Sequence, residues 1–241
     1  MEYAGERVLH LASESPSVTI YDMRKLEFVP GEYYHIYNRG TEGRNIVSDN
    51  YDLLRLKKSL ELFNTREPIG SIFEQSFIDQ TEIKKLPHLV EIIAYCINPN
   101  HFHLLLSPLK EGGISVFMHR LLGYTCYFNL KYKRKGALFQ GRFQAKHIED
   151  NGYLLHTSAY INLNYRVHRL GDSDAKLSKS SWEEYVNPEF AQQAALCKTA
   201  VILDQFSSRD EYKNFCEESM ELMLQVKDEA RELKELDFNE D

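Results

Sequence analysis

The stretch LVEIIAYCINPNHFHLLLSP, residues 89–108, decides the fold. It contains two apolar runs of strand length, 89–98 and 101–108, with Pro99 and Asn100 between them. Short apolar runs bounded by turn residues are typical of buried strands, and a connection this short predicts an antiparallel hairpin.

Periodicity and capping residues predict the elements on either side of the hairpin. The other strands are expected at 31–39 and within 139–149, and the helices at 49–64, 114–132 and 153 to about 164. The order β-α-β-β-α-β predicts a ferredoxin-like α+β fold, an antiparallel sheet of about four strands with helices on one face. Additional C-terminal helices follow, ending in a long helix over 210–236.

Charge is distributed unevenly along the 241 residues. The net charge is −7, but the segment from Asp204 to the end holds thirteen acidic and five basic residues, a net of −8. Between Gly112 and Ile148 there is no acidic residue, and seven are basic: Arg120, Lys131, Lys133, Arg134, Lys135, Arg142 and Lys146. Such a basic patch is the footprint of phosphate binding, with a solvated surface face as the alternative.

Composition argues against several classes of protein. No run approaches the roughly 18 apolar residues of a membrane helix, and the first residues form no apolar segment, so we expect a cytoplasmic protein without a signal peptide. The four cysteines are scattered, which argues against a zinc or disulfide framework. The sequence contains no GxxxxGKS or GxxxxGKT loop, so we expect no nucleotide cofactor.

Two pairs of residues carry groups suited to chemistry. His101 and His103 flank Phe102 on a predicted strand, so both imidazoles share one face and can converge on a divalent cation. Tyr160 and Asn164 are four residues apart on a predicted helix, so a phenol and an amide oxygen also share a face. Structural roles explain each pair alone; together they favour a metal site beside a tyrosine nucleophile.

Four segments, in this order, resemble the HUH-class single-tyrosine transposases, and among them the REP-associated tyrosine transposase branch. They are YHIYNRG at 34–40, NPNHFHLLLSP at 98–108, ALFQGRFQAKHIED at 137–150 and YLLHTSAYINLN at 153–164. The resemblance extends roughly from Tyr33 to Glu218. It implies a variable lead-in over 1–30, a catalytic domain over 31–170, and a C-terminal extension over 171–241 that ends in an acidic helix.

The resemblance implies an enzyme: a metal-dependent transposase that cleaves and rejoins single-stranded, hairpin-associated DNA through a 5′-phosphotyrosine intermediate. Tyr160 matches the nucleophile, and His101 and His103 match the paired metal ligands. Asn164 stands where relatives place a polar third ligand for Mg²⁺ or Mn²⁺. Relatives commonly carry proline directly after that position, whereas Tyr165 stands here, which predicts a helix that continues further.

Basic residues interleaved with aromatic ones are typical of single-strand binding, because they neutralise phosphates and stack on bases. The candidate DNA-binding residues are Arg39, Lys133, Arg134, Lys135, Arg142, Lys146, Phe139 and Phe143. Phe139 and Phe143 are explained equally well as core residues of the fourth strand. Four further histidines are expected to be surface or core residues, the first two nearest to the site: His35, His147, His156 and His168.

Three other functions stay open at this point. A domesticated, non-cutting module of the same fold would bind hairpin DNA or RNA, another HUH nickase would be tied to further domains, and an unrelated His-x-His metallohydrolase would need more ligands. The recognised hairpin does not follow from the sequence. A monomer and a homodimer, with the tyrosine acting in cis or in trans, are both compatible with it. The acidic C-terminal helix could serve dimerisation or shield the basic site.

Overall fold

The computed structural model describes residues 26–68, 70, 72, 86–168 and 171–237. Of the predicted lead-in over 1–30, residues 1–25 lie outside these ranges. The elements are β1 (Tyr33–Arg39), a 3-10 turn (Thr41–Gly43), α1 (Asn50–Leu62), β2 (Val90–Ile97), β3 (His101–Pro108), α2 (Gly113–Leu122), α3 (Tyr124–Lys131), β4 (Gln144–Ile148), α4 (Asn151–Val167), α5 (Asp172–Lys176), β5 (Lys179–Ser180), α6 (Trp182–Val186), α7 (Pro188–Ala194), α8 (Ala200–Leu203) and α9 (Arg209–Asp237).

The described strands form one antiparallel sheet in the order β4-β1-β3-β2-β5. β2 and β3 pair as the predicted hairpin, with Cys96 opposite His103. β1 pairs with the other edge of β3, where Tyr37 lies opposite His103. The βαββαβ order and antiparallel pairing confirm the predicted fold class, and the short strand β5 adds a fifth strand to the expected four.

Helices cover both faces of the sheet, so the prediction of helices on one face is wrong. One core lies beneath α1, α2 and α3 and includes Ile36, Phe102 and Leu104. The other lies beneath α4 and α9 and includes Leu105 and Tyr212. Because β2 and β3 are buried on both faces, their sequences are nearly continuous apolar runs instead of a clean alternation.

The helix predicted over 114–132 is divided at Gly123 into α2 and α3. Gly123 N–H donates to Arg120 O at 3.1 Å, a three-residue turn tighter than the α-helix makes. A Cβ at position 123 would lie 2.9 Å from Arg120 O, so a side chain there would force the turn to shift. The glycine therefore permits the change of direction between the two helices.

Helix α4 carries both Tyr160 and Asn164. Asp150 caps its N-terminus, because Asp150 Oδ1 accepts a hydrogen bond from Tyr153 N at 2.8 Å. The helix continues to Val167, as expected from the absence of a proline after Asn164.

Helix α9 joins α4 through a buried polar network. Asn162 Nδ2 donates to the Tyr212 hydroxyl at 2.8 Å, and Asn162 Oδ1 accepts from Ser181 Oγ at 2.6 Å. Tyr212 and Cys216 are fully buried, so the first turns of the acidic helix are part of the domain core. Within the described ranges, no helix combines the length and apolar character that crossing a membrane requires.

Candidate functional site

Strand pairing gathers three histidines on the face of the sheet beneath α4. His101 and His103 alternate with the core residue Phe102 on β3, as the sequence predicts. β1 contributes His35, whose ring centroid lies 5.0 Å from that of His103. The His101 and His103 rings are 5.2 Å apart. The three imidazoles therefore form a continuous row along the buried surface.

Helix α4 places Tyr160 against this row within the same chain. The Tyr160 ring centroid lies 5.3 Å from that of His103 and 6.1 Å from that of His35, in edge-on contacts. Asn164, one turn later, lies beside His101. A single chain thus brings the two predicted pairs together, which is the arrangement that a tyrosine acting in cis requires.

Asparagine side chains fix the orientation of His101. Its Nδ1 lies 2.6 Å from Asn100 Oδ1, which favours the tautomer with the ring proton on Nδ1 and a lone pair on Nε2. That Nε2 is 3.0 Å from Asn164 Oδ1, a second acceptor. Asn98 Nδ2 donates to His101 Nε2 at 2.9 Å and to Asn164 Oδ1 at 2.6 Å. Asn164 is fully buried, and its Nδ2 has no hydrogen-bond partner among the described residues.

The donor set fits a divalent cation. His101 Nε2 and Asn164 Oδ1 direct lone pairs into one place, about as far apart as neighbouring ligands of a small divalent ion. Within the described ranges, no three His, Cys, Asp or Glu side chains are grouped to hold a metal.

His103 is held by His35, a contact that the sequence pattern does not predict. His35 Nε2 and His103 Nδ1 are 2.8 Å apart, and both side chains are about nine-tenths buried. Burial, and then the charge of Lys146, lowers the pKa of His35 to about 4. Burial, followed by the neighbouring histidines, places the pKa of His103 well below its usual value. Both rings are therefore neutral at neutral pH, the form in which imidazole binds metals.

His168, which was expected to be a surface or core residue, extends the row at its open end. Its ring centroid lies 4.9 Å from that of His101. Partial burial, then His101 and Lys227, lowers the pKa of His168 to about 4. His147 lies elsewhere: it stacks near Tyr34 and is 3.1 Å from a carboxylate oxygen of Glu32.

The phenol of Tyr160 is not activated by its protein surroundings alone. Burial raises the pKa of Tyr160, and the nearby Asn164 side chain offsets this only in part. The hydroxyl therefore stays protonated at neutral pH. Any role as a nucleophile requires a phosphate made more electrophilic, or a proton acceptor supplied with the substrate.

These groups open onto a cleft of about 680 Å³. Its lining residues are Tyr37, Asn38, Arg39, Gly43, Asn100, His101, His103, Gln140, Gln144, Tyr160 and His168. Of the predicted DNA-binding residues, Arg39 alone is in this lining, and its guanidinium donates to Gln140 Oε1. The cleft thus combines the histidines, the phenol and one guanidinium.

Lys146 lies at the edge of the same face of the sheet. It is paired with His35 across the strands, and its Nζ lies 4.6 Å from the centre of the Tyr153 ring. Lys133, Arg134 and Lys135 lie in the loop after α3 and are not part of the cleft lining.

Arg142, Phe143 and Phe139 are separated from the cleft. Arg142 and Phe143 line a second cavity, about 750 Å³, beside the segment 26–30. Phe139 is 6% exposed and packs edge-on against Phe102, at a centroid distance of 5.7 Å. Its ring is a core residue and cannot stack on a base, so the core alternative applies to Phe139.

The charge of Lys131, one of the seven residues of the basic patch, is neutralised by an ion-pair cluster. Its Nζ lies 2.7 Å from Asp49 Oδ2 and 2.7 Å from Oδ1 of the fully buried Asp52. The Tyr132 hydroxyl also donates to Asp52, at 2.7 Å. These bonds fasten α3 to the start of α1, so Lys131 and Tyr132 serve packing and not phosphate binding.

The chain is similar to known proteins in sequence and in structure. Residues 72–164 match the family model described as "Transposase IS200 like". A solved structure described as the REP-associated tyrosine transposase bound to a REP hairpin is similar at 16% identity and a TM-score of 0.48, covering 69% of this chain and 86% of that chain. No curated protein matches the sequence. The predicted resemblance is confirmed by the family model over the segment that holds both histidines, Tyr160 and Asn164.

Proposed function

We propose that this chain, whose residues 72–164 match the IS200-like transposase model, cleaves and rejoins single-stranded DNA with Tyr160 as its nucleophile. The observation that supports this best is that Tyr160 and the His101/His103 pair line one cleft, with the buried Asn164 beside His101, all within one chain. A tyrosine with only a packing role has no need of two neutral imidazoles and a buried amide beside it.

The reaction conserves the phosphodiester bond energy. Tyr160 Oη forms a bond to phosphorus, and the bond from phosphorus to the 3′ oxygen breaks. The products are a 5′-phosphotyrosine and a 3′-hydroxyl, and the proton lost by the phenol is balanced by the one gained by the 3′ oxygen. Attack by another 3′-hydroxyl reverses the step, so joining needs no nucleotide cofactor.

His101, His103 and Asn164 would hold a divalent cation, Mg²⁺ or Mn²⁺. When bound, such a cation polarises the phosphate and neutralises the charge that develops on it. Imidazole ligands suit Mn²⁺ better than Mg²⁺, so we expect Mn²⁺ to support activity at least as well. Arg39 and Lys146 would contact phosphates next to the scissile one, since they lie in or beside the cleft.

The experiment that tests the proposal is a covalent-adduct assay on single-stranded hairpin DNA in Mn²⁺. DNA labelled at its 3′ end should give labelled protein on a denaturing gel, because the 5′ phosphate of the 3′ fragment is attached to Tyr160. DNA labelled at its 5′ end should give a shorter, free strand. Tyr160→Phe should abolish both products.

Tyr153→Phe is the matched control, since this tyrosine lies two turns earlier on the same helix. It should form the adduct. Mixing Tyr160→Phe with His103→Ala should restore no adduct if both groups act within one chain. An adduct that persists in Tyr160→Phe would contradict the assignment, and DNA binding without any adduct would favour the non-cutting module.

A further inference from the structure

Besides the cleft, Tyr160 lines another cavity, a groove of about 510 Å³ between α4 and α9. Its lining residues are His156, Tyr160, Val167, His168, Ser219, Leu222, Met223, Val226 and Lys227. Tyr160 and His168 belong to both linings, so the groove and the cleft meet at the proposed nucleophile.

The two cavities differ in chemistry. The cleft contains the imidazoles and Arg39, whereas the walls of the groove are formed mainly by Val167, Met223 and two strongly exposed residues, Leu222 and Val226. Leu222 is 59% exposed and Val226 is 64% exposed, on the one side of α9 that adjoins the groove. Exposed apolar side chains that line a cavity next to a reactive group indicate a contact surface for a ligand.

Apart from the Tyr160 hydroxyl, the polar groups of the groove lie toward its two ends. His156 Nδ1 lies 3.1 Å from Ser219 Oγ at one end. Lys227 Nζ donates to Val167 O at 3.0 Å at the other end, near His168. Apolar walls with polar ends match a nucleobase, which has apolar faces and a polar edge.

We propose that this groove binds the base of the nucleotide whose 5′ phosphate becomes attached to Tyr160. The inference rests on the proposed function, because that reaction fixes this nucleotide to the one side chain that both cavities share. Its phosphate occupies the polar cleft, and its base enters the adjoining apolar groove. Contact through the faces of the base makes the site tolerant of sequence, so any base should be accepted.

Nucleotide monophosphates test this without knowledge of the recognised DNA. Deoxyadenosine 5′-monophosphate imitates the attached nucleotide, and 2-deoxyribose 5-phosphate is the same molecule without its base. Each is titrated into protein carrying ¹³C-labelled methionine methyl groups, with Met223→Leu used to assign the Met223 signal. The nucleotide should shift the Met223 signal and bind at least about 5-fold more tightly than the sugar phosphate, which corresponds to about 40 Å² of apolar surface buried by the base.

A matched pair of variants locates the base. Val226→Trp fills the groove from its exposed rim, and Gln225→Trp places the same ring on the neighbouring exposed position outside it. The affinity ratio should fall to about one in Val226→Trp and stay unchanged in Gln225→Trp. Equal affinity for the two ligands, a silent Met223 signal, or a ratio that survives Val226→Trp overturns the inference.

Two further outcomes are separated by these measurements. A Met223 shift that depends on protein concentration and not on nucleotide would show a second copy of the chain in the groove, and would also overturn the inference. Adduct formation with a silent Met223 signal rejects the base site alone. A Met223 response with no adduct rejects the cutting reaction and leaves the groove as a base-binding site.

Discussion

His101 Nε2 and Asn164 Oδ1 lie 3.0 Å apart, although His101 is on a strand, Asn164 is on a helix, and the two residues are 63 positions apart in the chain. Both atoms are acceptors, because His101 donates its ring proton to Asn100, and one amide group of Asn98 covers the pair. That amide group already satisfies the pair, so a divalent cation would have to replace it to bind both atoms. Their 3.0 Å separation is close to that of neighbouring ligands of a small divalent ion.

The first prediction is that Asn164→Leu weakens Mn²⁺ binding at least about 10-fold, since the shape is kept and the ligand oxygen is lost. Asn164→Asp should restore or tighten binding, because a carboxylate oxygen replaces the amide oxygen. Calorimetric titration measures both. Gln140→Ala, which removes an amide that lines the cleft, is the control and should leave the affinity unchanged. Equal Mn²⁺ affinity in Asn164→Leu would remove Asn164 from the ligand set.

The second prediction concerns His35, which positions His103 through the 2.8 Å contact between their ring nitrogens. If His103 ligates through Nε2, its Nδ1–H donates to His35 Nε2. Loss of that acceptor in His35→Leu should weaken Mn²⁺ binding about 10- to 100-fold, the usual effect of removing a partner behind a ligand. His35→Gln keeps an acceptor and should recover part of the affinity. His147→Leu on the neighbouring strand should have no effect, and full affinity in His35→Leu would show that the contact is only packing.

The third prediction is a loss of stability in mild acid. The folded chain holds His35 neutral down to a pKa of about 4, whereas the unfolded chain takes up that proton near pH 6.5. The free energy of unfolding should therefore decrease as the pH falls from 6.5 toward 4, by roughly 2 kcal/mol from His35 alone between pH 7 and pH 5. Urea denaturation in EDTA measures this. The decrease should be smaller in His35→Gln and unchanged in His119→Gln, an exposed histidine.

Local patterns were sufficient for the parts of the site that lie within one element. The HFH alternation places two imidazoles on one face, and the spacing of Tyr160 and Asn164 places them one turn apart, as predicted. His35 has no partner at ligand spacing in the sequence, because His103 is 68 residues away and only the pairing of β1 with β3 brings them together. The alternation of Tyr33, His35 and Tyr37 was the available signal for it.

The direction of the basic side chains could not be read from the sequence. A loop has no regular periodicity from which the direction of each lysine or arginine side chain can be predicted. The sequence therefore suggests the same DNA-binding surface for Arg142 and Arg39, although they line different cavities. Helices on both faces of the sheet were missed for a related reason. A strand buried on both sides has no alternation to indicate on which side a later helix packs.

The fourth prediction tests whether the acidic helix α9 limits non-specific DNA binding. Removing the chain after about Ser207 would also remove Tyr212 and Cys216 from the core, so substitution is the better test. Glu218→Gln with Glu221→Gln, both at exposed positions, should tighten binding of single-stranded DNA several-fold at low salt. The difference should disappear at high salt, where screening is complete within a few ångströms. Unchanged affinity at low salt would reject shielding by these charges.

The fifth prediction separates two roles of Lys133, which ends helix α3. Lys133 has a φ of 51°, and Arg134 N donates to Asn129 O at 2.8 Å, the pattern of a left-handed helix terminus that favours glycine. Lys133→Gly should therefore raise the free energy of unfolding by about 1 kcal/mol, because a side chain is costly in this conformation. Lys133→Ala keeps the Cβ and should bring no gain. Urea denaturation measures the change in stability. Both variants remove the same charge, so an equal loss of DNA affinity in the two would show that Lys133 contacts phosphate, whatever the change in stability.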